Sequence, residues 1–320
     1  MKSLTKKHLF DLLAIQSESG ACESMADHIT ALVKKLGAKV ESDTLGNLYV
    51  TKGRGDDCPA VVAHMDTVHS ISPGKLVPIE IDDRVTGINS LTMRQSGIGG
   101  DDKCGVWAAL RCIECCRDIK AAFFVDEEIG CRGSYACDVS FFSGVRFVLQ
   151  ADRRGGSDFV RDIGGAISSK AFQKAVAPYL RDHGYKFSPG GMTDVQALSE
   201  SKVGVSCANL SAGYYAPHTA GEYIVLSELE NTIQLMVALC QNLQECFPHA
   251  RRPRPAYYHR LPAVYSKAPT AAQNMATLWA DWETELAQVS APDEWGPAEE
   301  STWNERDREY LQWYKSGRCS

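Results

Sequence analysis

The hydrophobic and polar positions along this chain follow two alternating patterns. Dense apolar runs with the composition of strands buried on both faces occur at 60–63, 121–125, 145–151 and 203–210. Apolar residues at helical spacing predict helices at 3–16, 23–36, 104–117, 168–181, 193–200 and 226–246. A strand pair at 39–42 and 47–52 and a hairpin at 75–95 complete the elements. Because strands alternate with helices, the chain is predicted to form an α/β fold with a mostly parallel central sheet.

Histidine, aspartate and glutamate residues, which can bind metals, lie near the ends of the predicted strands and helices. Open α/β sheets bind ligands beyond the carboxyl ends of their parallel strands, and five stretches place acidic or imidazole side chains in that region. They carry His64 and Asp66, Asp101, Glu127 and Glu128, Asp152, and His218. This coincidence predicts a metal site at one edge of the sheet.

The segment Ile98–Gly105 holds two adjacent carboxylates, Asp101 and Asp102, between a glycine pair and a lysine. Acidic residues are favoured at helix N-termini, so one interpretation is an ordinary helix cap. The alternative is a metal bridge, because a carboxylate has two oxygens and can join two cations about 3.5–4 Å apart. The other acidic and imidazole residues favour the bridge, with Asp101 as its candidate.

The spacing of the polar residues at the strand ends predicts different roles for the members of each pair. His64 and Asp66 are two residues apart, so the period of a strand puts both on one face. A metal-binding histidine normally donates its other ring N–H to a carboxylate or carbonyl, and Asp66 could supply that group. The alternative is a polar pair at a strand end without a metal. Glu127 and Glu128 point to opposite sides, so one can bind a metal while the other faces substrate.

Composition narrows the class of protein. The 320 residues are 44% hydrophobic and 23% charged, with a net charge of -6. The negative charge argues against a nucleic-acid partner, and no apolar run approaches the roughly 18 residues of a membrane span. The first apolar patch is interrupted by Asp11, and no cleavage site follows, which favours an amphipathic helix over a signal peptide. The twelve cysteines are then expected as free thiols in a reducing, cytoplasmic location.

Three cysteines have a spacing that needs a separate interpretation. Cys112 and Cys115 form a CxxC pair, with Cys116 beside them. A structural zinc needs four ligands, and no second CxxC or HxxxH follows along the chain. These cysteines fall on apolar positions of a predicted helix, so buried thiols are the favoured interpretation.

The order of the motifs resembles one family of enzymes. The matching segments are Ala63–Val68, Gly99–Gly105, Asp126–Gly130, Ala151–Asp152 and Pro217–Thr219. They are similar to motifs of the co-catalytic dinuclear zinc peptidases, above all the M20 group that contains peptidase T, with likeness to the M28 and M42 aminopeptidases. Gly190–Asp194 resembles the glycine-rich loop of that group, and the likeness covers roughly residues 4–246. The resemblance implies a three-layer zinc-peptidase-like fold.

The resemblance also implies roles for individual residues. One metal would be held by His64, Asp101 and Asp152, and a second by Asp101, Glu128 and His218. Glu127 would be the general base, and Asp66 would support His64 from behind. A cis peptide bond is implied between Asp101 and Asp102. The resemblance implies two divalent metal ions, with Zn²⁺ favoured and Mn²⁺ or Co²⁺ also suited to carboxylate and imidazole ligands.

One departure from the family concerns a missing domain. Family members with a lid insert a separate domain between the positions of Asp152 and Gly191, whereas here only 153–190 lies between them, enough for a strand and a helix. We therefore expect no inserted lid, an open site and, by default, a monomer. Arg153 and Arg154 follow Asp152 directly and are candidates for gripping a substrate carboxylate through paired N–H donors. The alternative is that both are solvated surface charges.

The division of the chain is predicted at residue 250. Residues 1–249 would form the catalytic domain, and 250–320 a tryptophan-rich, partly helical extension with helices at 270–287 and 302–313. The extension holds five of the six tryptophans and becomes acidic after Asp281. It is interpreted as an appendage packed on the catalytic domain or, alternatively, as a segment that binds a protein partner.

These features predict a metal-dependent hydrolase that cleaves amide bonds of short peptides with a metal-activated water, in the manner of an aminopeptidase or tripeptidase. One alternative is an amidohydrolase that removes the acyl group from N-acyl amino acids, because the same metals and base serve both reactions. Another is an inactive binding module on the same fold. The complete set of five metal ligands and a base argues against that last alternative.

Overall fold

A computed structural model describes residues 3–251 of the chain. The strands are β1 Lys39–Ser42, β2 Leu48–Lys52, β3 Cys58–His64, β4 Leu76–Ile81, β5 Arg84–Asn89, β6 Gln95–Ser96, β7 Ile119–Phe124, β8 Val145–Arg153, β9 Asp158–Asp162, β10 Lys186–Pro189, β11 Cys207–Ser211, β12 Tyr214–Tyr215 and β13 Tyr223–Val225. The helices are α1 Lys6–Leu13, α2 Glu23–Lys35, α3 Gly100–Cys115, α4 Arg132–Tyr135, α5 Lys170–Asp182, α6 Asp194–Glu200 and α7 Leu226–Asn242, with a 3-10 helix at Val139–Phe142.

An eight-stranded sheet has the order β1-β2-β7-β3-β8-β11-β9-β10. Its centre is parallel, because β3 pairs in parallel with both β7 and β8, and β8 pairs in parallel with β11. β1, β2 and β9 join through antiparallel pairings. All residues of β3 and β7 are buried, which is the burial that the apolar runs within them, 60–63 and 121–124, predict. The expected α/β fold with a mostly parallel central sheet is confirmed.

Two hydrophobic cores, one on each face, give the molecule three layers. Alternate residues of β3 enter different cores, with Val61 and Ala63 on one face and Ala60 and Val62 on the other. The larger core is covered by α1, α2, α3, α5 and α7. The smaller core is covered by α6 and the 3-10 helix. The strand period of two residues therefore places helices on both faces of the sheet.

A second, smaller sheet is antiparallel and contains β12, β13, β5 and β4 in that order, with β6 paired to β5. The predicted hairpin at 75–95 forms its outer part. The remaining strands come from the segment after β11, which the sequence patterns did not resolve. The loop between β12 and β13 carries His218. This histidine therefore belongs to a different sheet from the strands that precede His64, Glu128 and Asp152.

The segment between Asp152 and Gly191 contains no inserted domain. It folds as β9, α5 and β10, two strands and a helix, where the sequence predicted one strand and one helix. β10 pairs with β9 in parallel and extends the edge of the main sheet. The expected absence of a lid is confirmed, and the second strand was missed because Lys186–Pro189 is short and largely polar.

All eleven cysteines within residues 3–251 are free thiols. Cys112 and Cys116 are buried, as expected, but Cys115 is exposed at the end of α3, so the prediction of burial was wrong for it. The helices predicted at 270–287 and 302–313, and most of the proposed extension, lie outside the described residues. Within those residues, no helix has the length and apolar character needed to cross a membrane.

Candidate metal centre

Three adjacent strands of the main sheet end at the same place. β3 ends at His64, β7 is followed by Glu127 and Glu128, and β8 carries Asp152 near its end. Because β7, β3 and β8 are neighbours and parallel, their carboxyl ends bring these four side chains to one edge. The structure adds two more residues to this cluster, Asp101 and His218.

Asp101 lies at the centre of the cluster. Its Oδ1 is 3.2 Å from Nε2 of His64, and its Oδ2 is 3.3 Å from Nε2 of His218. Nε2 of His64 is also 3.7 Å from Oδ1 of Asp152, and Nε2 of His218 is 3.2 Å from Oε2 of Glu128. One carboxylate thus presents a separate oxygen to each histidine. We call the His64 and Asp152 half the inner side, and the Glu128 and His218 half the outer side.

His64 is fully buried and is oriented through its second ring nitrogen. Its Nδ1 is 2.9 Å from the backbone carbonyl of Asp66 and 3.5 Å from the carboxylate of that residue. When Nδ1–H donates to this carbonyl, Nε2 is left free to face Asp101. Asp66 therefore orients His64 chiefly through its main chain, whereas the sequence suggested its side chain.

The Asp66 carboxylate instead holds the glutamate pair. It accepts the backbone N–H groups of Glu127 at 3.0 Å and Glu128 at 3.2 Å, and the hydroxyl of Ser19 at 2.7 Å. These contacts join the end of β3 to the segment after β7. A residue predicted to serve one ligand therefore positions two others.

The two adjacent aspartates have different tasks, and the peptide bond between them is cis, as the resemblance implies. Asp102 is buried and accepts the backbone N–H of Gly105 at 3.0 Å and that of His64 at 3.2 Å. Asp102 accepts the N–H three residues further along, the type of bond that a helix cap makes, although it lies inside α3, while Asp101 faces the histidines. A side chain at position 105 would collide with the Asp102 carboxylate, so this arrangement requires Gly105.

Asp152 is fixed by four residues. One of them, Thr193, lies in the segment that resembles the glycine-rich loop, and the sequence patterns did not single out the other three. The Asn209 side chain bonds both the N–H and the carbonyl of Asp152, at 2.8 and 2.7 Å. Tyr214 donates its hydroxyl to Oδ1, and Thr193 lies 2.7 Å from Oδ2. Gln150 stands two residues before Asp152 on β8 and also accepts the backbone N–H of Val195. Gln150 and Asn209 carried a usable signal, because a polar residue within a buried strand needs a partner.

Glu127 lies at the inner side, with its Oε2 3.9 Å from Nε2 of His64. The thiol of Cys131 donates to its Oε1 at 3.4 Å. Burial raises the pKa of Glu127 well above its usual range, and the negative charges of Asp152 and Asp194 add to this effect. A buried carboxyl group whose pKa is raised in this way is suited to accept and return a proton.

The cluster has more negative than positive groups, and the pKa values reflect this. Burial and the neighbouring Asp101 raise the pKa of Asp152 to about 7. Contacts with Asp101 and Glu128 raise the pKa of His218 to about 11. Burial alone would lower the pKa of His64, but Asp101, Asp152 and Asp66 outweigh it and raise that pKa well above its usual range. Buried carboxylates so close together need positive charge to compensate them.

The residues present fit divalent metal ions. Ligand atoms of His64, Asp101 and Glu128 all lie within 4.8 Å of one another. Oε1 of Glu128 is buried and has no hydrogen-bond partner among the described residues, and a buried polar atom without a partner is costly. Carboxylate oxygens and imidazole nitrogens are ligands that zinc, manganese and cobalt accept. Asp102 also lies close to His64 and Asp152, but both of its oxygens are bonded to backbone N–H groups.

Arg153 and Arg154, the two arginines predicted to bind substrate, make their contacts outside the cluster of candidate metal ligands. Arg153 pairs with Asp158, with Nε 2.9 Å from Oδ2. Arg154 is exposed, and its backbone carbonyl accepts the hydroxyl of Ser211. The Asp158 pair shows that Arg153 does engage a carboxylate, within its own chain.

Solved structures share this fold. Aminopeptidase PepT from Bacillus cereus matches 73% of this chain and 96% of its own, with 16% identity and a TM-score of 0.59. A tripeptidase from Staphylococcus aureus matches 73% and 96%, with 14% identity and a TM-score of 0.61. The TET1 peptidase of Pyrococcus horikoshii, which assembles into a tetrahedron or a large octahedral shell, matches 74% and 99%, with 18% identity and a TM-score of 0.54.

The chain has the aminopeptidase-like fold. No protein-family model matches the sequence, and no curated protein matches it. At identities of 14–18% the likeness is one of three-dimensional fold. The aminopeptidase-like fold agrees with the three-layer zinc-peptidase-like architecture that the motifs predicted.

Proposed function

We propose that this protein is a metal-dependent peptidase of the aminopeptidase or tripeptidase type, acting on short peptides. The observation that carries the proposal is the position of Asp101, whose two oxygens lie 3.2 and 3.3 Å from the two histidines. A carboxylate shared in this way is the arrangement that a two-metal hydrolase requires. The aminopeptidase-like fold supports the same activity.

The proposed centre holds two divalent cations. His64, Asp101 and Asp152 would bind the inner one, and Asp101, Glu128 and His218 the outer one. Zn²⁺ is the proposed metal, and the same ligands also suit Mn²⁺ and Co²⁺. When bound, such cations acidify an attacking water and polarise the scissile carbonyl.

The chain itself supplies proton transfer and orientation. Glu127 accepts a proton from the attacking water and returns it to the leaving amine, a role for which its raised pKa suits it. Asp66 accepts the backbone N–H of Glu127 and so limits the positions that the Glu127 carboxylate can occupy. Without a lid, the site is open on one side and the substrate must be gripped near the metals. Arg153 and Arg154 are the proposed anchors for a substrate carboxylate.

The similarity to a peptidase T and to a tripeptidase supports short peptides as substrates. The motif order also supports membership of the M20 group, although the TET1 peptidase shares the fold to a similar degree. We further propose a cytoplasmic location. The proposed catalytic domain spans 1–249, and the proposed extension spans 250–320 and could bind a protein partner.

Metal analysis followed by a substrate screen tests the proposal. Purified protein should contain two equivalents of a divalent metal, and it should cleave free dipeptides and tripeptides in preference to N-acylated ones. Preference for N-acyl amino acids would instead identify the deacylase of the sequence alternatives. A protein that binds no metal and cleaves neither class would contradict the proposal altogether.

A further inference from the structure

A buried acidic residue outside the cluster of ligands lies beneath the loop that presents Asp101. Glu222 is fully buried. Its Oε2 accepts the backbone N–H of Gly99 at 2.7 Å, and its Oε1 accepts the backbone N–H of Asp101 at 3.1 Å. Nε2 of His69 is also 2.9 Å from Oε2. Burying a carboxylate is costly unless it is well bonded, and these three contacts satisfy it.

The same loop is held from other directions as well. Nζ of Lys103 is buried and donates to the backbone carbonyl of Ile98 at 2.9 Å. The ring of His69 lies so close to Gly97 that a side chain there would collide with it, and a side chain at Gly100 would collide with Tyr214. Residues 97–101 are therefore held by Lys103, by the packing of His69 and Tyr214, and by Glu222. Glu222 makes the two hydrogen bonds to the backbone N–H groups of Gly99 and Asp101.

Glu222 also belongs to the segment that carries His218. Both residues lie in the connection between β12 and β13 of the small sheet. His218 has a positive φ of 64°, and half of its side chain is exposed, so its own surroundings hold it weakly. The carboxylate of Glu222 therefore links the segment that carries His218 directly to the backbone of Asp101 through a hydrogen bond.

We propose that Glu222 is a positioning residue of the metal centre. Its carboxylate keeps the Asp101 loop and the His218 segment in register, so that Oδ2 of Asp101 and Nε2 of His218 face the same point. It contacts neither substrate nor metal and acts only through the residues that do. The inference rests on the proposed function in one respect, that the centre binds metal ions.

A purely structural role would give a different pattern of effects. Glu222→Gln replaces one of the two acceptor oxygens with an amide NH2 group, so one of the two buried backbone N–H groups loses its acceptor and the stability of the fold falls. Metal affinity changes only if the displaced groups are ligands. Loss of an outer partner of a metal ligand typically weakens metal binding by about 10- to 100-fold.

Asn89 provides a matched control. Like Glu222 it is buried, and its side-chain oxygen accepts two backbone N–H groups, those of Leu91 at 2.9 Å and Thr92 at 3.0 Å. Its loop, however, connects β5 to β6 and carries none of the candidate ligands. Asn89→Ala removes the side-chain bonds that hold this loop, a loss at least as large as that in Glu222→Gln, without removing a contact of the centre.

The experiment compares wild-type protein with Glu222→Gln, His69→Ala and Asn89→Ala. The metal-free proteins are titrated with Zn²⁺ in competition with a coloured chelator, the Co²⁺-loaded proteins are examined by visible absorption, and thermal unfolding is measured without metal. We expect Glu222→Gln to weaken Zn²⁺ binding at one position or both by about 10- to 100-fold and to change the Co²⁺ spectrum. His69→Ala should show a smaller change in the same direction, and Asn89→Ala should lower only the unfolding temperature.

Two results would overturn the inference, and they are distinguishable. If wild-type protein binds two metals and Glu222→Gln binds them with the same affinity and spectrum, the positioning role fails while the proposed function stands. If wild-type protein binds no divalent metal, both fail. Should Glu222→Gln not fold, His69→Ala decides, because without its contact to His69 the Glu222 carboxylate is held less firmly against the Asp101 loop. Unchanged Zn²⁺ affinity and an unchanged Co²⁺ spectrum in His69→Ala would then overturn the positioning role.

Discussion

The inner and outer sides of the metal centre are built in contrasting ways. On the inner side, His64 is completely buried at the end of a central strand, and Asp152 is bonded through its main chain and both carboxylate oxygens. On the outer side, the His218 side chain is 51% exposed and lies in a loop of the small sheet. Oε1 of Glu128 has no hydrogen-bond partner among the described residues. Both inner ligands are held in place by the main sheet, whereas the outer histidine depends on the loop that carries it.

The contrast implies unequal metal binding. Groups that are already in place lose little conformational freedom when they bind a ligand, and this preorganisation increases affinity. We therefore expect the inner metal to be held more tightly, and the outer metal to exchange more readily. The outer side is also the one that faces solvent, so substrate is expected to approach from it.

The largest effects should come from replacing the two histidines. His64→Ala removes the inner ligand that faces both Asp101 and Asp152, so both metal binding and turnover should be lost. His218→Ala should lose occupancy only at the outer position and keep about one metal per chain. The metal content of each variant is measured after dialysis. Equal metal loss in His64→Ala and His218→Ala would contradict the expected difference between the inner and outer sides.

The adjacent glutamates allow a second comparison. Glu127→Gln should keep both metals and lose roughly 10²- to 10⁴-fold in turnover, because an amide cannot accept the proton. Glu128→Gln should instead weaken the outer metal. Metal content and kcat are measured on both variants. Near-normal turnover by Glu127→Gln would show that the roles of base and ligand in this pair are assigned wrongly.

A smaller effect is expected from Arg153. If it anchors a substrate carboxylate, Arg153→Ala should raise KM by about tenfold, the size expected for one charge-assisted hydrogen bond, and leave kcat nearly unchanged. It should also remove any preference for free peptides over their C-terminal amides. Asp158→Asn is the control, because it removes the ion pair of Arg153 but leaves the guanidinium available. Equal cleavage of acid and amide peptides by the wild-type enzyme would exclude the anchor.

The smallest effect should follow from removing residues 250–320. Every proposed ligand lies before that segment, so the shortened protein should bind the same two metals with unchanged affinity. Metal titration of the shortened and full-length proteins measures this. A shortened protein that folds but binds no metal would show that the extension completes the centre, and that the proposed domain division is wrong.

The sequence predicted the sheet better than it predicted the surroundings of the site. Buried strands such as β3 and β7 were found because each contains a run of consecutive apolar residues, 60–63 and 121–124. His64, Glu127, Glu128 and Asp152 followed from their place at strand ends, whereas Asp101 and His218 were found from the motifs that surround them. The contacts of Asn209 and Glu222 were missed, because a single polar residue does not show which distant part of the chain supplies its partner. β12 and β13 were missed for a related reason, since strands of two and three residues are too short to show a period.

The bond between His69 and Glu222 joins residues that are 153 positions apart in the chain. Contacts between distant residues form late in folding, because closing a long loop costs entropy that early contacts have not yet offset. A chain that has formed β3, β7 and β8 already holds His64, both glutamates and Asp152 at one edge. The outer side is assembled only when the β12–β13 hairpin docks. Hydrolytic activity is therefore expected to return after the main sheet during refolding, as a step slower than the recovery of secondary structure.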